Sequence, residues 1–231
     1  LITGGAGYIG SHLAEKLIKL KKRVIIYDNL STGSKYLIDK KAVFINGDIN
    51  NSTKVSKIIK KYNVKTVFHF AASINVSEAE RNKKKYFKNN IMGTKNLLKG
   101  IEKSNNKINK FIFASSCTVY GGIKKSITEK SKIKPTGYYG HTKAISEKEI
   151  KKFSKKNKCN YAILRYFNVA GASNSGKVGE VNKNNDHLFK NLAMLTQKEK
   201  KIFYVNGNDF NTKDGTCVRD YIHIIDLINI H

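Results

Sequence analysis

Cysteine is scarce: three residues, Cys117, Cys159 and Cys217, an odd number at wide spacing. That excludes a disulfide framework, fits reduced thiols in a cytoplasmic setting, and offers no metal-ligand pattern. None of the six histidines stands four residues from another, so a His-x-x-x-His zinc pair is missing and no metal is expected. No apolar run approaches the roughly 18 residues of a membrane span, and no signal-peptide pattern is visible, so no membrane partner is expected. Acidic residues are also few. Asp and Glu number 17 against 44 Lys and Arg, giving a formal net charge of +27. Such a balance attracts phosphate backbones. Arginine, however, stands only at Arg23, Arg81, Arg165 and Arg219, and proline only at Pro135. A lysine-, asparagine- and isoleucine-rich chain of this kind reads as A/T-rich codon usage. No RNP-type aromatic motif, zinc-finger spacing or basic heptad accompanies the lysines, so no specific nucleic-acid partner is expected.

Hydrophobic residues, 40% of the chain, are spread along its length and suffice for one large domain with a smaller appendage. The chain opens on Leu1 inside an apolar strand and stops at His231 in a helical start, which reads as a piece cut from a longer protein. Leu1-Ile2-Thr3 runs into Gly4-Gly5-Ala6-Gly7-Tyr8-Ile9-Gly10, then a helical pattern with Ile9, Leu13, Leu17 and Leu20. A second strand, Val24 to Tyr27, ends at Asp28. Strand, glycine turn, helix, strand and acid form a dinucleotide-binding fingerprint. The glycines allow a tight turn and close backbone approach to a pyrophosphate, and the helix N-terminus offers N–H groups to its oxygens. Asp28 suits a ribose 2′-hydroxyl and repels a 2′-phosphate, which favours NAD over NADP.

The alternation continues with strands at Ala42 to Asn46, Thr66 to Phe70, Lys110 to Ser115 and Tyr161 to Tyr166. Helices are expected at Thr53 to Tyr62, Tyr86 to Ser104 and Thr142 to Lys156. This pattern predicts an α/β fold, a doubly wound parallel sheet with ligands at the carboxyl ends of its strands. Asp48, Phe70, Ser116 and Asn168 each follow a strand. A polar loop, Gly171 to Asn185, suggests a nucleotide-binding domain over 1–170 and part of a substrate-binding region over 171–231. Tyr139 and Lys143 lie four residues apart, one helical turn on one face. A phenol beside an ammonium group is an acid/base device, because a nearby positive charge favours the phenolate. Taken alone, the same spacing describes an ordinary solvated helix face.

Seven ordered segments, its own among them, give that pair its context. Thr3 to Ser11 resembles the TGxxGxxG turn of the extended short-chain dehydrogenases/reductases. His69-Phe70-Ala71-Ala72, Asn89 to Thr94, Ser115 to Gly121, Tyr139-Gly140-His141-Thr142-Lys143, Leu164 to Ala172 and Asp214 to His223 follow in that family's order. The last two are similar to its nucleotide-sugar epimerases. The resemblance implies a Rossmann-like fold and interconversion of UDP-galactose and UDP-glucose by transient NAD-dependent oxidation at the sugar C4′. On it, Tyr139 is the base, Lys143 holds the nicotinamide ribose and lowers the Tyr139 pKa, and Ser116 hydrogen-bonds the reacting oxygen, with Ser115 and Thr118 as rivals. Hydride returns to the opposite face of the sugar.

The resemblance further assigns Gly4, Gly7, Tyr8, Ile9 and Gly10 to the cofactor turn, and Asp28 and Asn29 to the adenosine ribose. Asp48 and Ile49 go to the adenine, Phe70 and Ala71 to the pyrophosphate and ribose wall, Asn89 to a polar contact with the cofactor, and Tyr166 to the nicotinamide side. Asn168, His187, Leu188 and Arg219 become UDP contacts, Arg219 because a guanidinium grips diphosphate oxygens in a bidentate way. Without the family order, Phe70 and Tyr166 equally suit a plain core, Asp48 a turn, and Arg219 an ion pair with Asp220. Three positions depart from the family pattern: Ile74 replaces a lysine near the cofactor, Lys190 a proline, and Asn206 an aromatic or glycine-like residue. A homodimer through a four-helix bundle of the helices at 86–104 and 142–156 is implied as well. Rival readings are a nucleotide-sugar dehydratase, which needs carboxylates where Cys117-Thr118 stand, and an NAD-retaining module without turnover.

Overall fold

The computed structural model describes residues 1–123, 126–182, 187–205 and 207–231. Six short apolar segments form one parallel sheet: β1 (Ile2–Thr3), β2 (Ile25–Asp28), β3 (Val43–Asn46), β4 (Thr66–His69), β5 (Lys110–Ser116) and β6 (Asn160–Tyr166). Their order is β3-β2-β1-β4-β5-β6. Chain progression therefore reverses on either side of β1, which pairs with β2 through Ile2 and Ile26 and with β4 through Ile2 and Phe68. That reversal opens a crevice at the carboxyl ends of β1 and β4, the place where such sheets bind ligands. The expected doubly wound architecture is present.

Both sheet faces are buried, which explains strands apolar throughout rather than alternating. The first connection is α1 (Tyr8–Lys19), which presents Leu13 and Ala14 to Ile2, Ile26 and Phe68 on one face. Leu20, expected on that same stripe, is 54% exposed, because the helix ends at Lys19 and its cap residue swings outward. On the opposite face lies α2 (Ser52–Tyr62), its start capped by Asn51 Oδ1 on Lys54 N at 2.9 Å and its end by left-handed Asn63. Two short helices follow β4, α3 (Val76–Arg81) and α4 (Lys83–Tyr86); then a π turn (Phe87–Met92) leads into α5 (Gly93–Lys103). Helix α6 (Tyr138–Asn157) completes that layer. Val55, Ile59, Leu97, Ile101, Phe111 and Ile150 make its buried contact with the sheet.

The single helix expected from Tyr86 to Ser104 is thus interrupted by the π turn. Its cause lies in side chains that satisfy the backbone from outside the ladder. The Asn90 carbonyl accepts from Thr94 Oγ1 at 2.7 Å and from Ser146 Oγ at 3.1 Å. Asn90 itself bonds Ser73 N, Ser73 O and Thr142 Oγ1. The widened turn thereby aims Asn89 at the crevice and Asn90 at α6, a use typical of π turns.

Beyond β6 the chain makes a second, two-stranded parallel sheet, β7 (Asn168–Ala170) with β8 (Tyr221–His223), separated by α7 (Leu188–Thr196). The last helix, α8 (Ile224–Ile230), returns to pack Ile224, Leu227 and Ile228 beside Leu13 and Phe68. No helix among the described residues is long and apolar enough to cross a membrane.

Candidate active site

One continuous cavity of about 1180 Å³ follows the carboxyl edge of the sheet. It starts at the glycine turn between β1 and α1. Gly4 has φ +72, and a Cβ there would lie 2.6 Å from Ala71 N, so β4's exit can approach only a glycine. Asp28 binds the turn from β2: Oδ2 accepts from Ala6 N at 3.0 Å and Oδ1 from Leu30 N at 2.8 Å. No side chain caps α1, whose N-terminus faces this end of the cavity through Gly7, Tyr8, Ile9 and Gly10. A diphosphate fits these features, since it supplies the acceptors that uncapped N–H groups need and requires the bare backbone that glycine provides.

Midway lie the acid/base residues. Helix α6 begins at Tyr138, four residues earlier than periodicity indicates, so Tyr139 and Lys143 are both helical and share a face. Both are buried, at 8% and 3% exposure, and both line the cavity. The Tyr139 ring packs edge-on to Tyr86, whereas Tyr138 points away, with Lys83 over its ring and its N–H on Glu80. That separates the adjacent tyrosines as expected. Ser116, the last residue of β5, lines the same cavity as Tyr139 and receives Thr118 Oγ1 at 3.0 Å. Ser115 also borders the cavity, but its hydroxyl donates to Glu147 at 2.5 Å.

In the chain alone burial dominates at Tyr139 and pushes the phenol up, with Ser116 the group acting downward; the lowering that the resemblance implies belongs to Lys143 acting together with a positive nicotinamide. The Lys143 ammonium is drawn instead to the Ala114 carbonyl at 2.8 Å and lies 5.8 Å from the Tyr139 ring centre. Burial lowers its own pKa to about 7. In the chain by itself Tyr139 is therefore a neutral phenol.

Beneath this pair His69 is fully enclosed. Thr94 spends its hydroxyl proton on Asn90 O, so its oxygen accepts from His69 Nε2–H at 3.0 Å, and His69 Nδ1 accepts from Thr3 at 2.7 Å. The ring is held neutral: burial, and secondarily Lys143, lower its pKa from 6.5 to about 3. A depressed histidine binds its proton later in the folded than in the unfolded state, so stability falls as pH drops from about 6.5 toward 3. The expected contribution is a loss of about 2 kcal/mol between pH 7 and pH 5. Urea melts of parent and His69→Asn at both pH values test this: the gap between the two proteins should narrow by that amount at pH 5.

The far end of the cavity is lined by Asn168, His187, Leu188 and Arg219. His187 Nδ1 meets Glu180 Oε1 at 2.6 Å. Arg219 is exposed and donates to Val218 O at 3.1 Å; no ion pair ties it to Asp220 among the described residues. Asn29, Ile49, Phe70, Ala71, Asn89 and Tyr166 also line the cavity, and Tyr166 Oη meets His231 Nε2 at 2.5 Å. Among the described site residues named from sequence, Asp48 is the one absent from the wall: Oδ1 accepts from Asn50 N and Nδ2, each at 2.8 Å, as a turn residue does. Ile74 lines the cavity at 43% exposure, and Lys190 lines it while donating to the Asn182 carbonyl. Asn206 lies outside the described residues. Sequence reading missed Gly33, where a Cβ would strike Ala6, and Glu180; neither carries a motif signal.

A model of the NAD dependent epimerase/dehydratase family matches residues 1–231, the whole chain. The chain belongs to this family. The UDP-glucose 4-epimerase of Lactobacillus helveticus is 41% identical over 232 residues, covering all of this chain and 70% of that protein. The crystal structure of UDP-glucose 4-epimerase from Brucella ovis in complex with NAD is 37% identical with a TM-score of 0.92, covering 99% of this chain and 70% of the other. That of the Bifidobacterium longum enzyme in complex with NAD+ and UDP is 34% identical, also with a TM-score of 0.92, covering 99% and 71%. As a member of an NAD dependent family, the chain carries a glycine turn, Asp28 and an uncapped α1 that suit this cofactor.

Proposed function

We propose that the protein interconverts UDP-galactose and UDP-glucose through a transient oxidation at C4′ of the sugar. The observation that carries this reading is one cavity in which Tyr139, Lys143 and Ser116 lie between an uncapped glycine-turn helix and the exposed guanidinium of Arg219. Similarity to the Lactobacillus helveticus, Brucella ovis and Bifidobacterium longum epimerases supports it. The glycine turn and α1 hold the pyrophosphate, and Asp28 and Asn29 the adenosine ribose. Ile49 covers the adenine while Asp48 shapes its turn. Phe70 and Ala71 wall the pyrophosphate, Asn89 makes a polar contact with the cofactor, Tyr166 borders the nicotinamide, and Lys143 bonds its ribose. NAD, when bound, supplies reversible two-electron oxidation at C4′ and a positive ring charge.

Tyr139, as phenolate, takes the proton of the 4′-hydroxyl, and Ser116 bonds the same oxygen and relays the proton. After the 4′-keto sugar has turned over, Tyr139 returns that proton to the oxygen. The sugar is oxidised and then reduced, so the net change is stereochemical only. Asn168, His187, Leu188 and Arg219 hold UDP, and the region from 171 onward acts as the substrate-binding part. Replacing Arg219 with Met is expected to raise the KM for UDP-galactose about 30-fold or more, with a smaller change in kcat, as loss of a charged anchor does. Steady-state kinetics with that variant would show it.

Coupling the reaction to UDP-glucose dehydrogenase tests the function itself. The protein is incubated with UDP-galactose without added NAD and quenched, and the dehydrogenase is then supplied with its own NAD to read out the UDP-glucose formed; a protein with NAD bound and no UDP-glucose formed would exclude the function. A homodimer formed by the α4–α5 region and α6 is part of the same reading, supported by exposed Phe87 and Ile145 on those helices. Sedimentation at one-subunit mass across millimolar to molar salt would refute it.

A further inference from the structure

Glu147 has no part in the steps above, yet it is the most enclosed acid of the site, 1% exposed and one turn after Lys143 on α6. Its Oε1 accepts from Ser115 Oγ at 2.5 Å and from Arg165 Nε at 2.9 Å. Its Oε2 accepts from Arg165 Nη2 at 2.7 Å, and Arg165 Nη1 reaches Tyr120 Oη at 2.7 Å. One carboxylate thus joins α6, the end of β5 and β6 at the register where Ser115 opposes Arg165. Residues 114–116 of β5 also serve the reaction centre directly. Ala114 O receives the Lys143 ammonium, and Ser116 lines the cavity together with Tyr139.

A buried ion pair is weak evidence of a stabilising role, because apolar residues of similar volume commonly serve stability as well. Its location offers a better account. We propose that Glu147 is a positioning residue: it clamps the carboxyl end of β5 to α6, so that Ser116, Lys143 and Tyr139 keep register, and it supplies the buried negative charge that faces Lys143. This rests on the reading that Tyr139 and Lys143 serve the sugar and the cofactor. The titratable groups facing Lys143 are Tyr139 and Glu147 from its own helix and His69 from β4. Arg165, from β6, faces Glu147. With Glu147 neutralised, Arg165 loses its compensating charge, which disfavours the ammonium further.

Two readouts test the proposal on the NAD-loaded protein. The first is the Lys143 titration, followed by NMR of lysine-labelled protein and assigned by loss of the signal in Lys143→Arg. Glu147→Gln, which keeps an acceptor for Ser115, should lower its midpoint by about one pH unit or more. The second is kinetics with UDP-galactose. Glu147→Ala should lower kcat about 100-fold with KM within about threefold, and Glu147→Gln should recover about tenfold of that loss. An unmoved Lys143 midpoint in Glu147→Gln, or a folded Glu147→Ala with kcat within about threefold of the parent, would overturn it. Should Glu147→Ala not fold, Ser115→Ala removes one arm of the clamp and should lower kcat about fivefold at constant KM; no change would count against the clamp. A parent inactive on UDP-galactose would exclude the proposed function, while the Lys143 shift would still decide the role of Glu147.

Discussion

Tyr139→Phe is expected to lower kcat on UDP-galactose by about 10²–10⁴-fold, with KM changed little, because it removes only the group that moves the proton. Phenylalanine keeps the ring that packs edge-on to Tyr86 in a pocket where residue 139 is 8% exposed. The fold should survive, and a phenol that burial has pushed up loses no charged partner when its hydroxyl is removed. Since Tyr139 is neutral in the chain alone, the phenolate requires the positive charge brought by the cofactor. The parent's activity should therefore rise with pH until that phenol is ionised, and Tyr139→Phe should flatten the profile. Stopped assays of parent and variant from pH 6 to 9, with NAD content measured on each sample, check both points; retention of full activity would remove Tyr139 from the reaction.

Gly10→Ala should cost the cofactor and much of the stability together. A Cβ at residue 10 would sit 2.4 Å from Gly4 O and 2.8 Å from Gly5 Cα, contacts with backbone that cannot rotate away. Helix α1 would have to lift from β1, with a penalty of about 1–3 kcal/mol or more and a displaced N-terminus. Gly7 offers the control, because a Cβ there meets only Gly4 O at 3.3 Å. Gly7→Ala should fold with a loss under about 1 kcal/mol yet retain less NAD, since its methyl enters the bare backbone at the head of α1. Urea melts and NAD absorbance after gel filtration separate the two effects. Equal NAD retention by Gly10→Ala and the parent would contradict this account of the turn.

What was legible in the sequence was local. Strand, glycine turn, helix, strand and Asp28 follow each other within a stretch whose geometry the residues dictate, and the buried parallel strands announce themselves as unbroken apolar runs. Tyr139 and Lys143 needed only one helical turn. What the sequence hid depends on contacts between distant segments. The π turn exists because Ser73, Thr142 and Ser146 engage Asn90 from elsewhere in the chain. Helix α6 starts at Tyr138 although Tyr-Tyr-Gly is a poor helix opening, since tertiary packing outweighs intrinsic propensity there. Spacing placed an ammonium near a phenol but could not show that Ala114 O would claim it, nor that Glu147 and Arg165 would meet across three elements. The adenine role of Asp48 rests on the family resemblance alone; strand order could not show that Asn50 would hold its Oδ1 while Oδ2 accepts from Asn29 Nδ2 at 3.5 Å.

The most direct test of the central claim follows a label through the reaction. UDP-galactose carrying deuterium at C4′ is incubated with the protein in ordinary water, and the UDP-glucose formed is examined by mass spectrometry and NMR. Oxidation and re-reduction within one closed site predict that the deuterium stays at C4′, undiluted by solvent. Its replacement by hydrogen would mean that C4′ exchanges with water, and the mechanism assigned to Tyr139, Lys143 and Ser116 would be wrong.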